Sequence, residues 1–329
     1  MHNLKYSLML GLVLFLAAVP ALALEIISPP DGSIVSKSTR LVIKGGDKPP
    51  IDAITIAVNG EKSDLLDISS AAYRQSFKDF VFLEAEYDPG VNQIEVEGYA
   101  GGKRVTTAKS KVYLSDGVIE PPTPFAEKPF HTDESEARCT GCHHNLNPAP
   151  KDLSNPVPGQ NPCSTCHAAI LAGKNVHGPA GVYDCTVCHD PKSTPAKYAL
   201  ADRDGKFCSE CHEDILAAAR KSAFVHGPVA SENCLACHDP HSSDAPGIVR
   251  GATLNASCNP CHAAVTEQKI HGIRTVSGTS HPLEGKKNPA QPGKPFHCAS
   301  CHDPHGAQVK GYLRGGGIGF NFCKQCHVK

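Results

Sequence analysis

All sixteen cysteines of this chain stand in C-x-x-C pairs, and a histidine directly follows every pair. The pairs are Cys139/Cys142, Cys163/Cys166, Cys185/Cys188, Cys208/Cys211, Cys234/Cys237, Cys258/Cys261, Cys298/Cys301 and Cys323/Cys326. Their histidines are His143, His167, His189, His212, His238, His262, His302 and His327. Nothing else in the 329 residues constrains folding as strongly, because sixteen thiols at one spacing point to one chemistry. A zinc ribbon takes two C-x-x-C clips per ion and needs no histidine after either. A disulfide framework has no reason to repeat one spacing eight times. C-x-x-C-H is the attachment pattern of haem c. Two thiols add across the porphyrin vinyl groups, and the histidine lies beneath the iron as its proximal axial ligand. Eight covalent haems c per chain are therefore expected, held by these sixteen cysteines and eight histidines.

The N-terminus carries Lys5, an apolar run from Leu8 to Val19, and Ala21-Leu22-Ala23. That is the pattern of a secretory signal peptide over 1–23 with an A-x-A site before Leu24. The run is short for a membrane span, and Pro20 follows it. No later stretch is apolar enough to span a bilayer. The expectation is an exported protein of the periplasm, outer surface or cell exterior with no transmembrane segment after cleavage.

Residues 24–116 contain neither cysteine nor histidine. The stretches TRLVIKG, AITIAVNGEK, DFVFLEAE, VNQIEVEGYAGG and KVYL alternate apolar and polar residues over short runs, as half-buried strands do. Asn59-Gly60 is a hairpin turn signal. Regularly spaced short strands predict a small antiparallel β-sandwich. The stretch FVFLEAEYDPGVNQIEVEGYA resembles the late strands of bacterial Ig-like domains. This domain reads either as a docking surface or as a spacer, with no catalytic constellation in it. Residues 117–130 form a linker stiffened by Pro121, Pro122 and Pro124.

The haem region, 131–329, allows about 25 residues per haem, too few for an ordinary core. The porphyrins are expected to be the core, wrapped by loops and short helices. The motif histidines are separated by 24, 22, 23, 26, 24, 40 and 25 residues, which groups the motifs into four pairs. His131, His177 and His226 each stand eight positions before the first cysteine of a pair. After the second motif the chain turns helix-like in CHAAILAG, CHEDILAAAR and CHAAVTEQK. Ile170, Ile215 and Val265 then fall three residues after the ligand, on its helix face. Gly178, Gly227 and Gly272 are expected to stop these helices.

The segment CHDPH occurs at 237–241 and again at 301–305, preceded by HGP segments and paired with second C-x-x-C-H motifs. In these features residues 131–329 resemble the doubled-CXXCH family of multihaem c-type cytochromes. The resemblance implies bis-histidine haems packed in a chain and a role in electron transfer. Two departures stand out. The first motif continues as CHHN, placing His144 next to His143, and the third reads CHDPK, with Lys192 where the pattern has histidine.

Bis-histidine ligation requires a second imidazole per iron. Outside the motifs and His2, nine histidines remain: His131, His144, His177, His226, His241, His271, His281, His297 and His305. The only methionines, Met1 and Met9, lie in the signal, so His/Met ligation is excluded for the mature chain. Eight of the nine are candidate distal ligands, and His297, beside Cys298 and outside the repeat, is the expected spare. Irons closed on both faces pass single electrons and bind little else. The expected function is electron carriage along a row of haems, with redox proteins, a porin–cytochrome complex or filament subunits as partners. An octahaem reductase of a nitrogen or sulfur oxyanion with one open iron is the enzymatic alternative, and a subunit of an extracellular cytochrome filament is the structural one. The polypeptide charge of −1 gives no basis for nucleic-acid binding.

Overall fold

The computed structural model describes residues 24–36, 39–46, 50–115, 121–143, 148–157, 159–200, 206–266, 271, 281–316 and 320–327. The signal segment, His144 and Gly272 lie outside these residues.

Nine strands occupy the N-terminal region. They are β1 (Leu24–Ser28), β2 (Ser33–Val35), β3 (Arg40–Gly45), β4 (Ala53–Val58), β5 (Glu61–Lys62), β6 (Leu66–Asp67), β7 (Phe80–Glu84), β8 (Gly90–Ala100) and β9 (Lys103–Leu114). One sheet has the order β1-β3-β7, and a larger one has β2-β9-β8-β4-β5, with β6 also on β4. Alternate residues of each strand point to one face. Leu41 and Ile43 of β3, Ile54 of β4, Ile94 and Val96 of β8, and Val112 of β9 are thereby buried together in one core fed by both sheets.

The five expected strand stretches all lie in strands, and Asn59-Gly60 turns β4 into β5 with φ of 52° and 89°. Pairing departs from the antiparallel expectation at β2, which runs parallel to β9 and also meets Ala126 in a parallel bridge. The Pro29–Gly32 turn carries the chain from the first sheet to the edge of the second, so β2 arrives beside β9 in the same direction. Helix α1 (Ala71–Phe77) has no counterpart in the alternation pattern; Ser70 caps it by accepting from Tyr73 N–H at 3.2 Å.

From residue 131 onward the chain is loop-rich. Its regular elements are short helices and two-stranded ladders: β10 (Asn175–Val176) with β14 (Ser242–Ser243), β11 (His189–Asp190) with β12 (Ala199–Leu200), and β13 (Phe224–Val225) with β15 (Gly306–Ala307). Its buried apolar residues are few and mostly small: Leu153, Ala196, Ala219, Ala236, Ala245, Val249, Ala307 and Leu313. Ile215, Phe224, Val176 and Val187 are exposed. Two of the expected helices form, over Ser209–Arg220 and Asn259–Thr266; in CHAAILAG the α-helix Ser164–His167 ends at the ligand and Ala168–Leu171 is a 3-10 turn instead. His212 and His262 break the two longer ones with non-helical φ/ψ, and His167 takes the same conformation. Ile170 and Val265 are half-buried there, whereas Ile215 is 42% exposed.

The role expected of Gly178 and Gly227 is reversed. Both open short helices, Gly178–Gly181 and Gly227–Ala230, with His177 and His226 at the N-cap. Pro179 and Pro228 explain the reversal, because proline is pre-organised for the first turn of a helix and cannot continue one. Among the described residues no helix is long and apolar enough to cross a membrane.

Candidate haem-attachment centres

The local framework of the centres is a loop built three times. It starts at His189, His238 and His302. In each loop the histidine Nδ1 meets the carbonyl oxygen nine residues later: Tyr198 at 2.8 Å, Gly247 at 2.9 Å and Gly311 at 2.6 Å. Those three residues have left-handed backbone, with φ of 61°, 73° and 82°, which turns the carbonyl inward. Each histidine also pairs with the residue eleven positions on: Leu200, Val249 and Leu313. The aspartate after each histidine accepts from the backbone N–H two residues later, on Lys192 (2.8 Å), His241 (3.0 Å) and His305 (3.2 Å). Lys192, His241 and His305 are therefore one structural position.

Across these loops the motif histidines meet non-motif histidines in pairs. Ring centres lie 6.1 Å apart for His167 with His131, His212 with His177, and His189 with His241. They lie 6.2 Å apart for His262 with His226, His238 with His305, and His327 with His281, and 6.4 Å apart for His302 with His271. Two imidazoles on opposite sides of one metal stand at this separation. A metal–nitrogen bond of about 2.0 Å plus about 1.1 Å from nitrogen to ring centre, taken twice, gives about 6.2 Å.

Nδ1 is engaged in most pairs. Besides the three loop histidines, His177 meets the Pro240 carbonyl at 3.0 Å, His281 the Pro282 carbonyl at 3.0 Å, and His131 the Glu136 carboxylate at 3.1 Å. Such an acceptor holds the proton on Nδ1 and leaves Nε2 as the free donor atom. Burial pushes His167, His189, His226 and His238 below the ordinary imidazole value, toward the neutral form that ligates. All sixteen thiols are free. The donor set and its spacing fit haem c: two thiols per motif would hold the vinyl groups and, at seven of the motifs, two facing imidazoles would hold the iron.

The sulfurs also approach one another from motif to motif. Cys163 lies against Cys185, Cys208 against Cys234, and Cys258 against Cys298. Cys139 interacts with Cys166, Cys188 with Cys211, Cys237 with Cys258 and Cys261, and Cys301 with Cys326. The thiols of successive motifs thus lie near one another in sequence order, in direct contact between the paired units at Cys163/Cys185, Cys208/Cys234 and Cys258/Cys298.

Two of the nine non-motif histidines take no part in a described pair. His144 lies outside the described residues. His297 caps the helix Cys298–Cys301, its backbone N–H donating to Ser300 Oγ at 3.0 Å and its ring facing that hydroxyl. His143 is exposed, and among the described residues no second imidazole stands about 6 Å from it. The carbonyls of Tyr198, Gly247, Gly311 and Pro240, and the carboxylate of Glu136, escaped the sequence reading. A recurring glycine nine residues after His238 and His302 was the available signal.

Three segments, 177–217, 226–267 and 288–329, match the family described as the doubled CXXCH motif. They contain the six motifs from Cys185 to Cys326. No curated protein matches the chain. Solved structures with some likeness include a calcium-binding mutant of Bacteroides uniformis β-glucuronidase 2, with 11% identity and a TM-score of 0.21, covering 28% of this chain and 10% of that one. Another is the fibronectin(III)-like modules of Clostridium thermocellum CbhA, with 13% identity and a TM-score of 0.22, covering 32% of this chain and 52% of that one. Scores this low carry no argument about the fold. The tandem C-x-x-C-H pairs and the three matches together show doubled CXXCH motifs over 177–217, 226–267 and 288–329, as in the multihaem c-type cytochromes of that description.

Proposed function

We propose that the chain is an exported octahaem cytochrome that carries electrons along a row of haems, seven of them ligated by the histidine pairs described above. The observation that carries this reading is the repeated spacing of 6.1 to 6.4 Å between one motif histidine and one non-motif histidine. When bound, haem c supplies a one-electron couple at each position. The polypeptide fixes where those couples sit. The cysteines would hold each ring by its edge, and the sulfur contacts Cys163/Cys185, Cys208/Cys234 and Cys258/Cys298 between units support a row that follows sequence order.

The segment His238–His241 shows how the row is knit. His238 meets His305 of the following unit, His241 meets His189 of the preceding one, and the Pro240 carbonyl orients His177. One four-residue turn therefore bears on three centres, and its second histidine serves the preceding unit. Export is supported by the signal pattern over 1–23 and by covalent haem attachment itself. The redox partners are proteins that dock at the ends of the row. A reductive titration of the purified holoprotein tests the proposal. Uptake of eight electrons per chain, returned to an added one-electron acceptor, is expected. Uptake of two or fewer, or net consumption of electrons with a small oxyanion, would count against it.

A further inference from the structure

The repeat has a rule for the first motif of each unit. Its motif histidine pairs with the histidine of the Asp-Pro-His turn in the next unit: His189 with His241, and His238 with His305. The same rule assigns His143 to position 192. That position holds lysine, in the same aspartate-closed turn. In the fourth unit His302 pairs with His271 instead.

The junction between the first two units departs from the others in a second way. Residues just before His177 and His226 form the ladders β10–β14 and β13–β15 with the residues after His241 and His305. Equivalent residues at the first junction are 129–130 and 193–194, and among the described residues no such ladder joins them. Pro129 has no N–H to give, and Ser193 Oγ instead donates to carbonyls within its own loop. The Lys197 N–H donates to the His131 carbonyl at 2.8 Å, and its ammonium bridges Glu136 and Asp133. Even so, Cys163 and Cys185 meet as their counterparts do at the other junctions, so the centres remain adjacent.

Neither leftover histidine suits the vacancy in the rule. His297 is engaged as a helix cap at the far end of the row. His144 is bonded to His143 itself; consecutive Cα atoms are about 3.8 Å apart, too close for the chain to pass around a porphyrin to its opposite face.

We propose that the haem at Cys139 and Cys142 carries no distal histidine, and that Lys192 at the distal position leaves its iron with one exchangeable coordination site. The site takes small diatomic ligands on reduced iron. It sits at the first end of the row, beside the β region, to which this motif is tied by Lys78 Nζ donating to the Gly141 carbonyl at 2.7 Å and by Arg138 paired with Glu25 at 2.6 Å. This inference rests on the histidine pairing proposed above.

Carbon monoxide titration of the reduced holoprotein tests both layers separately. One carbon monoxide per eight haems is expected, lost in Lys192→His and kept in Lys192→Ala and His144→Ala. No uptake by the unaltered protein, or uptake that survives Lys192→His, overturns the inference while leaving the pairing intact. Two or more bound per chain overturns the inference together with the pairing beneath it. If Lys192→His does not fold, paramagnetic resonance of the unaltered oxidised protein decides. One iron of eight outside the bis-imidazole class supports the inference, and eight within it overturn it.

Discussion

At the residue scale the account depends on single imidazoles. His226→Ala and His241→Ala each remove one partner of a 6.2 or 6.1 Å pair. Each variant is expected to gain a high-spin ferric signal and one added carbon monoxide on reduction, because water is too weak a ligand to hold iron low-spin. His297→Ala should leave the signals of the unaltered protein unchanged, since that ring caps a helix. The rings also differ in mutual orientation. His189/His241 and His238/His305 are near-parallel, at 5° and 14°, whereas His302/His271 and His327/His281 cross at 79° and 83°. Crossed imidazoles act equally on two iron d orbitals and keep them nearly degenerate, so two irons should show strongly anisotropic low-spin signals. Glu136 adds a further distinction. Its carboxylate lies 3.1 Å from His131 Nδ1, and a negative charge there would favour ferric iron. In spectroelectrochemistry, Glu136→Gln should raise one potential on the order of tens of millivolts. The cysteines and motif histidines were legible in the sequence because covalent chemistry dictates their spacing. Their non-motif partners were legible only as a set, since which imidazole meets which motif is decided by loops folding across unit boundaries.

At the element scale the junctions between units are close-packed. A Cβ on Gly173 would stand 2.5 Å from Ser243 N, whereas one on Gly178 would meet nothing within 4 Å. Gly173→Ala should cost about 1–3 kcal/mol of stability in thermal melts, and Gly178→Ala should lie close to the unaltered protein. In the β region, Glu97 is only 9% exposed and is held down to about 2 from 4.5 by Lys62 first, then Arg104 and Tyr99. A depressed carboxyl stabilises the fold above its unfolded value, and this stabilisation fades as pH falls through its folded one. Exchange protection of β4 and β8 amides should therefore weaken between about pH 4.5 and 2, and Glu97→Gln should flatten that loss. The strands were legible because the alternation of period two survives in the sequence, as in Ile54 and Ile56 or Ile94 and Val96. The ladders β10 to β15 were not, because two residues carry no period. Gly178 and Gly227 were misread because a glycine followed by proline suits a helix start as readily as a stop.

At the scale of the whole molecule, two regions stand on different physics. The β region buries large aliphatic side chains from two sheets in one core. The region from 131 onward buries mostly alanine, and its cohesion in the proposed holoprotein comes from thioether and axial bonds. Mass spectrometry should accordingly show eight haem additions, and changing Cys234 and Cys237 together to Ala should remove one and loosen the junctions on both sides. In the proposed holoprotein, paired histidines hold the haem irons of a continuous row. Spin-quantified electron paramagnetic resonance of the fully oxidised holoprotein tests it most directly. Seven low-spin, bis-imidazole irons per chain are predicted, with one further iron in a different class. A spectrum with fewer than seven low-spin irons, or with several high-spin ones, would contradict the pairing and the row built on it.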